Sequence, residues 1–315
     1  MAAARVAGLG QFLPEYVRYN SDWPDSFVEA SRRRQGDRTL VELRFEDESD
    51  PARRVARRYL SGEADDPFLG CRERRVADAS TGSAEAEALA AQAALTDAGL
   101  AAGEVDVILS SALVPDRLMP SNACRVAHRL GATRAWACTV DAACSSPVAQ
   151  LAMAAALVES GRARTVLLTQ SHLTVRTFPL SHPASPCVGD AASAMVVVTS
   201  DRAGILGTHA VTHGEYYDAV LWCRDKEPQR DPPWWEAGGP FFMGSHDGSA
   251  TRQLMHDTVP IAAQTIRELV ASQRLDVERI DVLASVQPRR WVPPAIAEAL
   301  GLDPSIAPQT YERLA

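Results

Sequence analysis

The chain has 315 residues, 46% of them hydrophobic, and a formal charge of −8; it can bury a large core, in two similar halves, and is too acidic for a general nucleic-acid binder. No apolar run is long enough to span a bilayer and no charged-then-apolar leader opens the chain, which points away from membrane insertion and secretion. The six cysteines show neither a CxxC pair nor a histidine-interleaved spacing, so neither a disulfide framework nor a metal site is expected, and a reducing cytoplasm fits.

Apolar β-branched runs alternate with alanine-rich helical patterns, the signature of an α/β fold. The first strand is expected at residues 5–9. Residues 31–58 follow no apolar period and carry nine arginines against six acids. They read as a solvated surface insertion, or alternatively as a basic docking face for an acidic carrier protein. A helix is expected at 85–98, strands at 105–110 and 136–140, a helix at 148–160, and strands at 165–169, 194–199 and 204–209. Residues 224–239, with Pro228, Pro232, Pro233, Trp234 and Trp235, read as a long loop beside a substrate entrance or as a packing anchor. Helices at 251–272 and 293–300 flank a last strand at 280–285.

Between the strand ending at Val140 and the helix beginning at Val148 lies Cys144. A thiol at a strand-to-helix junction sits over the positive end of the helix dipole, beside N–H groups with no intrahelical partner. Both favour the thiolate, the reactive form, although a free Cys is as often a small buried packing residue. His209 and His213, in Thr208-His209-Ala210-Val211-Thr212-His213-Gly214, are candidates for a general base, against the plainer reading of locally bonded loop histidines. His182 is a weaker candidate, and His128 lies on an expected helix.

Four motifs in register resemble the β-ketoacyl-ACP synthase III family of the thiolase superfamily. They are Gly8-Leu9-Gly10-Gln11-Phe12-Leu13-Pro14-Glu15, Gly70-Cys71-Arg72-Glu73-Arg74-Arg75, the stretch from Glu104 to Ala155 with Asp141-Ala142-Ala143-Cys144-Ser145, and Val188-Gly189-Asp190-Ala191-Ala192-Ser193-Ala194. In the last, Ala191 and Ser193 replace glycines of the family pattern. The resemblance implies a thiolase fold of two similar βαβαβ-type halves in a layered α-β-α-β-α arrangement. Residues 1–200 would form the half carrying the nucleophile, with an insertion at about 31–66, and 201–315 the second half. It implies a cytoplasmic homodimer with no permanent cofactor, whose substrate is a phosphopantetheine-linked acyl donor on acyl carrier protein or CoA.

In that family the Cys takes the acyl group as a thioester, and a His and an Asn stabilise the enolate formed when malonyl-ACP decarboxylates. The resemblance therefore makes Cys144 the nucleophile, with its own N–H in the oxyanion hole, and Met119 the residue that reaches the partner's acyl pocket across the dimer. Counting back from Leu300-Gly301-Leu302, the family's His position falls on Val286; a one-residue slip brings Ser285 or Gln287 there. The family's Asn and glycine-rich strand are expected beyond Ala315, leaving the second half incomplete. The Trp and Arg that hold the nucleotide of CoA correspond to Ala64 and Phe68, which favours a carrier-protein donor. Valine neither transfers a proton nor donates a hydrogen bond. The expected activity is thus acyl transfer through Cys144 to an oxygen or nitrogen acceptor, with His213 or His209 as base. The alternatives are a decarboxylative condensing enzyme and a non-catalytic partner subunit; hydroxymethylglutaryl-CoA synthase chemistry would need a Glu–His pair that the sequence does not supply.

Overall fold

The computed structural model describes residues 2–42, 49–62, 66–225 and 227–314, and only the backbone of residues 34–42. In chain order the main elements are β1 (Ala3–Phe12), β2 (Val17–Tyr19), α1 (Asp25–Glu42), α2 (Pro51–Ser61), β3 (Glu73–Arg75), α3 (Ser83–Ala98), β4 (Val107–Ala112) and α4 (Asn122–Leu130). There follow β5 (Trp136–Thr139), α5 (Ser146–Glu159), β6 (Thr165–Leu173), β7 (Asp190–Ser200), β8 (Leu221–Cys223), β9 (Phe242–Gly244), α6 (Gly248–Ser272), α7 (Val292–Ala299) and α8 (Tyr311–Leu314).

Five strands form one mixed sheet in the order β1-β7-β6-β4-β5, parallel from β6 through β4 to β5 and antiparallel at β6–β7 and β7–β1. Ile108, Leu167 and Val196 stand side by side in register and bury one face with α3 and α4; Val107, Leu109, Val166, Leu168 and Val197 bury the other with Ala154 and Val158 of α5. Burial on both faces is why these strands read as continuous apolar runs rather than as alternation. Helix α3 comes down to backbone distance from β1. A Cβ on Gly10 would stand 2.1 Å from the Ala90 carbonyl oxygen, and one on Gly8 2.4 Å from that of Ala94.

One acid interrupts this apolar layer. Glu87 of α3 is fully buried and accepts from Ser110 Oγ (2.6 Å), Thr169 Oγ1 (2.6 Å), Ser171 Oγ (2.9 Å) and Asn122 Nδ2 (3.1 Å). Burial pushes its carboxyl up, against the pull of those four donors. Two of the three motifs outside the nucleophile region are likewise cross-braces. Fully buried Arg74 donates from Nε to the Pro186 carbonyl at 2.6 Å and bonds Asn20 Oδ1. Asp190, at the start of β7, accepts from the Ala77 and Val175 N–H groups at 2.9 and 3.0 Å.

The second half departs from the expectation. Residues 204–209 and 280–285 form no strand; a strand is defined by its ladder, and neither segment finds a ladder partner among the described residues. Residues 204 and 205 instead give their N–H groups to the Ala4 carbonyl at 3.0 Å, and Leu283 gives its own to that of Ile306 at 3.0 Å. Strand structure there is limited to the three-residue hairpin β8–β9. The stretch expected as a surface insertion also needs correction. Part of it, and Ala64 with it, lies outside the described residues, but α2 is a core element. Ala52, Val55, Ala56 and Tyr59 make an i, i+3, i+4, i+7 stripe that packs on Val259, Ala263, Trp291 and Ile296. Asp50 caps this helix through the Ala52 N–H at 2.8 Å. Trp234 and Trp235 are 58% and 70% exposed, so their loop is no packing anchor; Arg224 ties it down through the carbonyls of Glu236 (2.6 Å) and Trp234 (3.0 Å).

Candidate active site

The chain leaves the sheet at β5, crosses 140–142 and turns into α5 through a short 3-10 segment, Ala143–Ser145. Ala143 holds φ at +47°, a left-handed conformation that costs a residue with a Cβ about 1–2 kcal/mol. Four bonds fix it there. Asp141 Oδ1 accepts the Ala143 N–H (3.0 Å), Ser145 N–H donates to the Ala142 carbonyl (2.9 Å), and buried Ser146 accepts the Ala142 N–H on Oγ (2.9 Å) while donating to the Ala143 carbonyl (2.8 Å). The result lifts Cys144 to the surface, where its side chain is exposed and has no hydrogen-bond partner among the described residues. Helix α5 begins two residues later without a side-chain cap, and Pro147 in its first turn has no N–H. The positive end of the helix thus stands uncapped beside the thiol.

The position of Cys144 follows from local sequence, but the brace that holds it does not. Asp141 and Ser146 were not singled out from the sequence; the signal was an Asp and a Ser flanking the turn, residue types that bond backbone locally.

The other candidates stand apart from the thiol. His209 pairs through Nε2 with Glu268 of α6 at 2.9 Å, and His213 through Nδ1 with Glu215 at 3.2 Å; neither ring bonds Cys144. His182 accepts the Ala184 N–H at Nδ1 (3.1 Å) and packs edge-on to Phe178, and His128 is on α4. Val286 is 55% exposed. Of the two residues that a one-residue slip would bring there, Gln287 is committed elsewhere. It donates to the Pro308 carbonyl (2.9 Å) and accepts from the Thr310 and Tyr311 N–H groups (3.0 and 3.1 Å). Ser285 Oγ donates to the Val286 carbonyl at 3.3 Å. Phe68 meets Trp23 edge-on at 5.8 Å.

Met119 is 84% exposed and Leu118 78%, at the tip of a loop fastened at its base. Ser83 Oγ donates to the Val114 carbonyl (2.6 Å), Asp116 takes the Ser83 and Ala84 N–H groups (2.6 and 3.2 Å), Asn122 Oδ1 takes the Asp116 N–H (3.2 Å), and Ser121 bonds Thr139 of β5. Next to this loop β5 is an edge strand, with Trp136 57% exposed.

A two-faced sheet that ends in an exposed cysteine at a helix N-terminus defines a thiolase-fold acyl-transferring enzyme. The comparisons agree. Residues 139–214 match the family model for 3-oxoacyl-[acyl-carrier-protein] synthase III. A β-ketoacyl-[acyl-carrier-protein] synthase III of Bordetella petrii is 32% identical over 289 residues, covering 91% of this chain and 77% of the relative; one of Xanthomonas oryzae is 28% identical over 305 residues, covering 95% and 81%. The crystal structure of the Pseudomonas aeruginosa PAO1 synthase III superposes with a TM-score of 0.73 at 24% identity, over 99% of this chain and 84% of that one. The chain belongs to the β-ketoacyl-ACP synthase III family and is an acyltransferase of that type. Enzymes of this type use acyl-ACP or acyl-CoA substrates without a permanent cofactor. No helix among the described residues is long and apolar enough to cross a membrane.

Proposed function

We propose that Cys144 takes an acyl group from a carrier-protein thioester and passes it to a second acceptor, in the cytoplasm and within a homodimer. The exposed, unpartnered thiol on the braced turn before α5 carries this reading. Sγ attacks the thioester carbonyl, the oxygen's developing charge falls to the Cys144 N–H and the uncapped start of α5, and collapse expels the carrier's thiol and leaves an acyl-Cys144 thioester. The named relatives act, by their names, on acyl carrier protein. The apolar, exposed Val286 favours transfer to an oxygen or nitrogen acceptor over decarboxylative condensation. His213, or failing that His209, would remove the acceptor's proton, each oriented by its glutamate. Met119 would reach the partner's pocket, which a fastened and exposed loop supports.

The test is incubation with acyl-ACP followed by intact mass and peptide mapping. The expected result is one acyl increment on Cys144, lost in Cys144→Ala while the circular-dichroism spectrum is unchanged. An acyl group found equally on Cys71, Cys124 or Cys187 would refute the assignment.

A further inference from the structure

A second sulfur is surrounded by more polar machinery than a packing cysteine requires. Cys187 ends the short turn Ser185–Cys187, three residues ahead of β7, and is half-buried. Arg289 points Nη1 at its sulfur from 2.9 Å. Tyr311, only 3% exposed, faces Cys187, Cys71 and Arg289; its buried hydroxyl lies against the Cys187 sulfur and meets no oxygen or nitrogen acceptor among the described residues. Arg74 closes the other side, its guanidinium bonded to the carbonyls of Pro186 (2.6 Å) and Cys71 (3.5 Å). Four segments distant in sequence therefore bring two guanidiniums and an orphaned hydroxyl around one thiol.

A neutral thiol is a weak acceptor and leaves a buried hydroxyl such as that of Tyr311 poorly satisfied. A buried hydroxyl with no acceptor better than a thiol is destabilising, so its persistence calls for an acceptor that arrives later. An oxygen atom carried on the Cys187 sulfur would be that acceptor.

We propose that Cys187 is an oxidation site, at which hydrogen peroxide converts the thiol to a sulfenic acid held by Arg289 and Tyr311. The sulfur attacks one peroxide oxygen, the O–O bond breaks as the S–O bond forms, and the sulfur is oxidised by two electrons. The other oxygen leaves as hydroxide and takes the thiol's proton to become water. The new oxygen then accepts from the Tyr311 O–H and an Arg289 N–H. Cys71 is the neighbouring thiol, but burial pushes it up to about 11, so it stays protonated and is a poor nucleophile toward the sulfenic acid. The product persists as a sulfenic acid, reversible by an added thiol, rather than closing a disulfide. The proposal does not depend on the role given to Cys144.

The experiment treats the full chain and its Cys144→Ala variant with hydrogen peroxide in the presence of dimedone, which traps sulfenic acids, and maps the adducts over time. In Cys144→Ala, where the exposed Cys144 thiol no longer competes, Cys187 is expected to carry the first adduct, ahead of the more exposed Cys124. Tyr311→Phe removes only an unsatisfied hydroxyl, so the melting temperature should hold or rise, while the Cys187 adduct should form about five- to tenfold more slowly, the worth of one hydrogen bond. Labelling of Cys124 or Cys138 before Cys187 would overturn the proposal. So would an unchanged Cys187 rate in Tyr311→Phe, or a Cys71–Cys187 disulfide in place of the adduct.

Discussion

Ala143 is the residue on which the geometry around Cys144 turns, because its positive φ aims the next side chain out of the fold. A turn of this kind is a local matter, and for that reason Cys144 was legible from the strand and helix patterns on either side of it. Its brace was not, since the Ser146 hydroxyl acts on backbone groups that a pattern of side chains does not display. The same limit applied to Gln287, which belongs to α8 rather than to the reaction centre. Val286 supplies the prediction at this scale. Where Val286 holds the family's His position, nothing there can hydrogen-bond a developing enolate, and decarboxylation of malonyl-ACP by the native protein should be slow. Val286→His should raise it, in a radiolabelled carbon dioxide release assay, by up to the roughly 10²–10⁴ that a general acid–base contributes. Efficient native condensation that survives loss of both His209 and His213 would reject this division of labour.

At the scale of elements, the sheet was readable because strands buried on both faces print unbroken apolar runs, as 107–109 and 166–168 do. Residues 204–209 carry the apolar pair Ile205-Leu206 yet pair with no strand among the described residues, because sequence carries the propensity of a strand but not the identity of its neighbour. Helix α2 was hidden for the opposite reason: arginines between its apolar positions mask a stripe that is continuous in space. Two predictions belong here. Gly10→Ala should destabilise the fold by about 1–3 kcal/mol or more in urea titrations, since the added methyl meets the backbone of α3, which cannot swing aside. Asp257 of α6 joins α2 to α6 through Arg53 (2.6 Å) and takes the Tyr216 hydroxyl (2.6 Å) and Gln253 Nε2 (2.7 Å). Burial opposes its ionisation, but Tyr216, Gln253 and Arg53 outweigh that and hold its carboxyl below the usual range, while burial and Asp257 push Tyr216 up to about 12. A depressed carboxylate contributes stability above its unfolded pKa, and the contribution disappears as pH falls through the folded value. Wild-type stability should therefore drop on acidification below about pH 4, and Asp257→Asn should flatten that part of the profile; an unchanged slope would contradict it.

For the whole molecule, the proposed dimer would join two copies along β5, whose outer edge is unpaired among the described residues and flanked by exposed Trp136, Leu118, Met119 and Val148. Sedimentation at micromolar concentration should show a dimer, and Trp136→Glu should shift it to monomer without loss of the circular-dichroism spectrum; a monomeric native protein would reject the arrangement. The loop bearing Met119 then has a thermodynamic consequence. Asp116, Asn122, Ser83 and Ser121 have already ordered its backbone before any second copy arrives. Association would not have to freeze that segment, so the entropy usually surrendered when an interface loop settles is charged to folding instead of to binding. Tightness of the pair would then depend on residues that never touch the partner: loosening the clasp at Asp116 would speed dissociation while every interfacial side chain stayed in place.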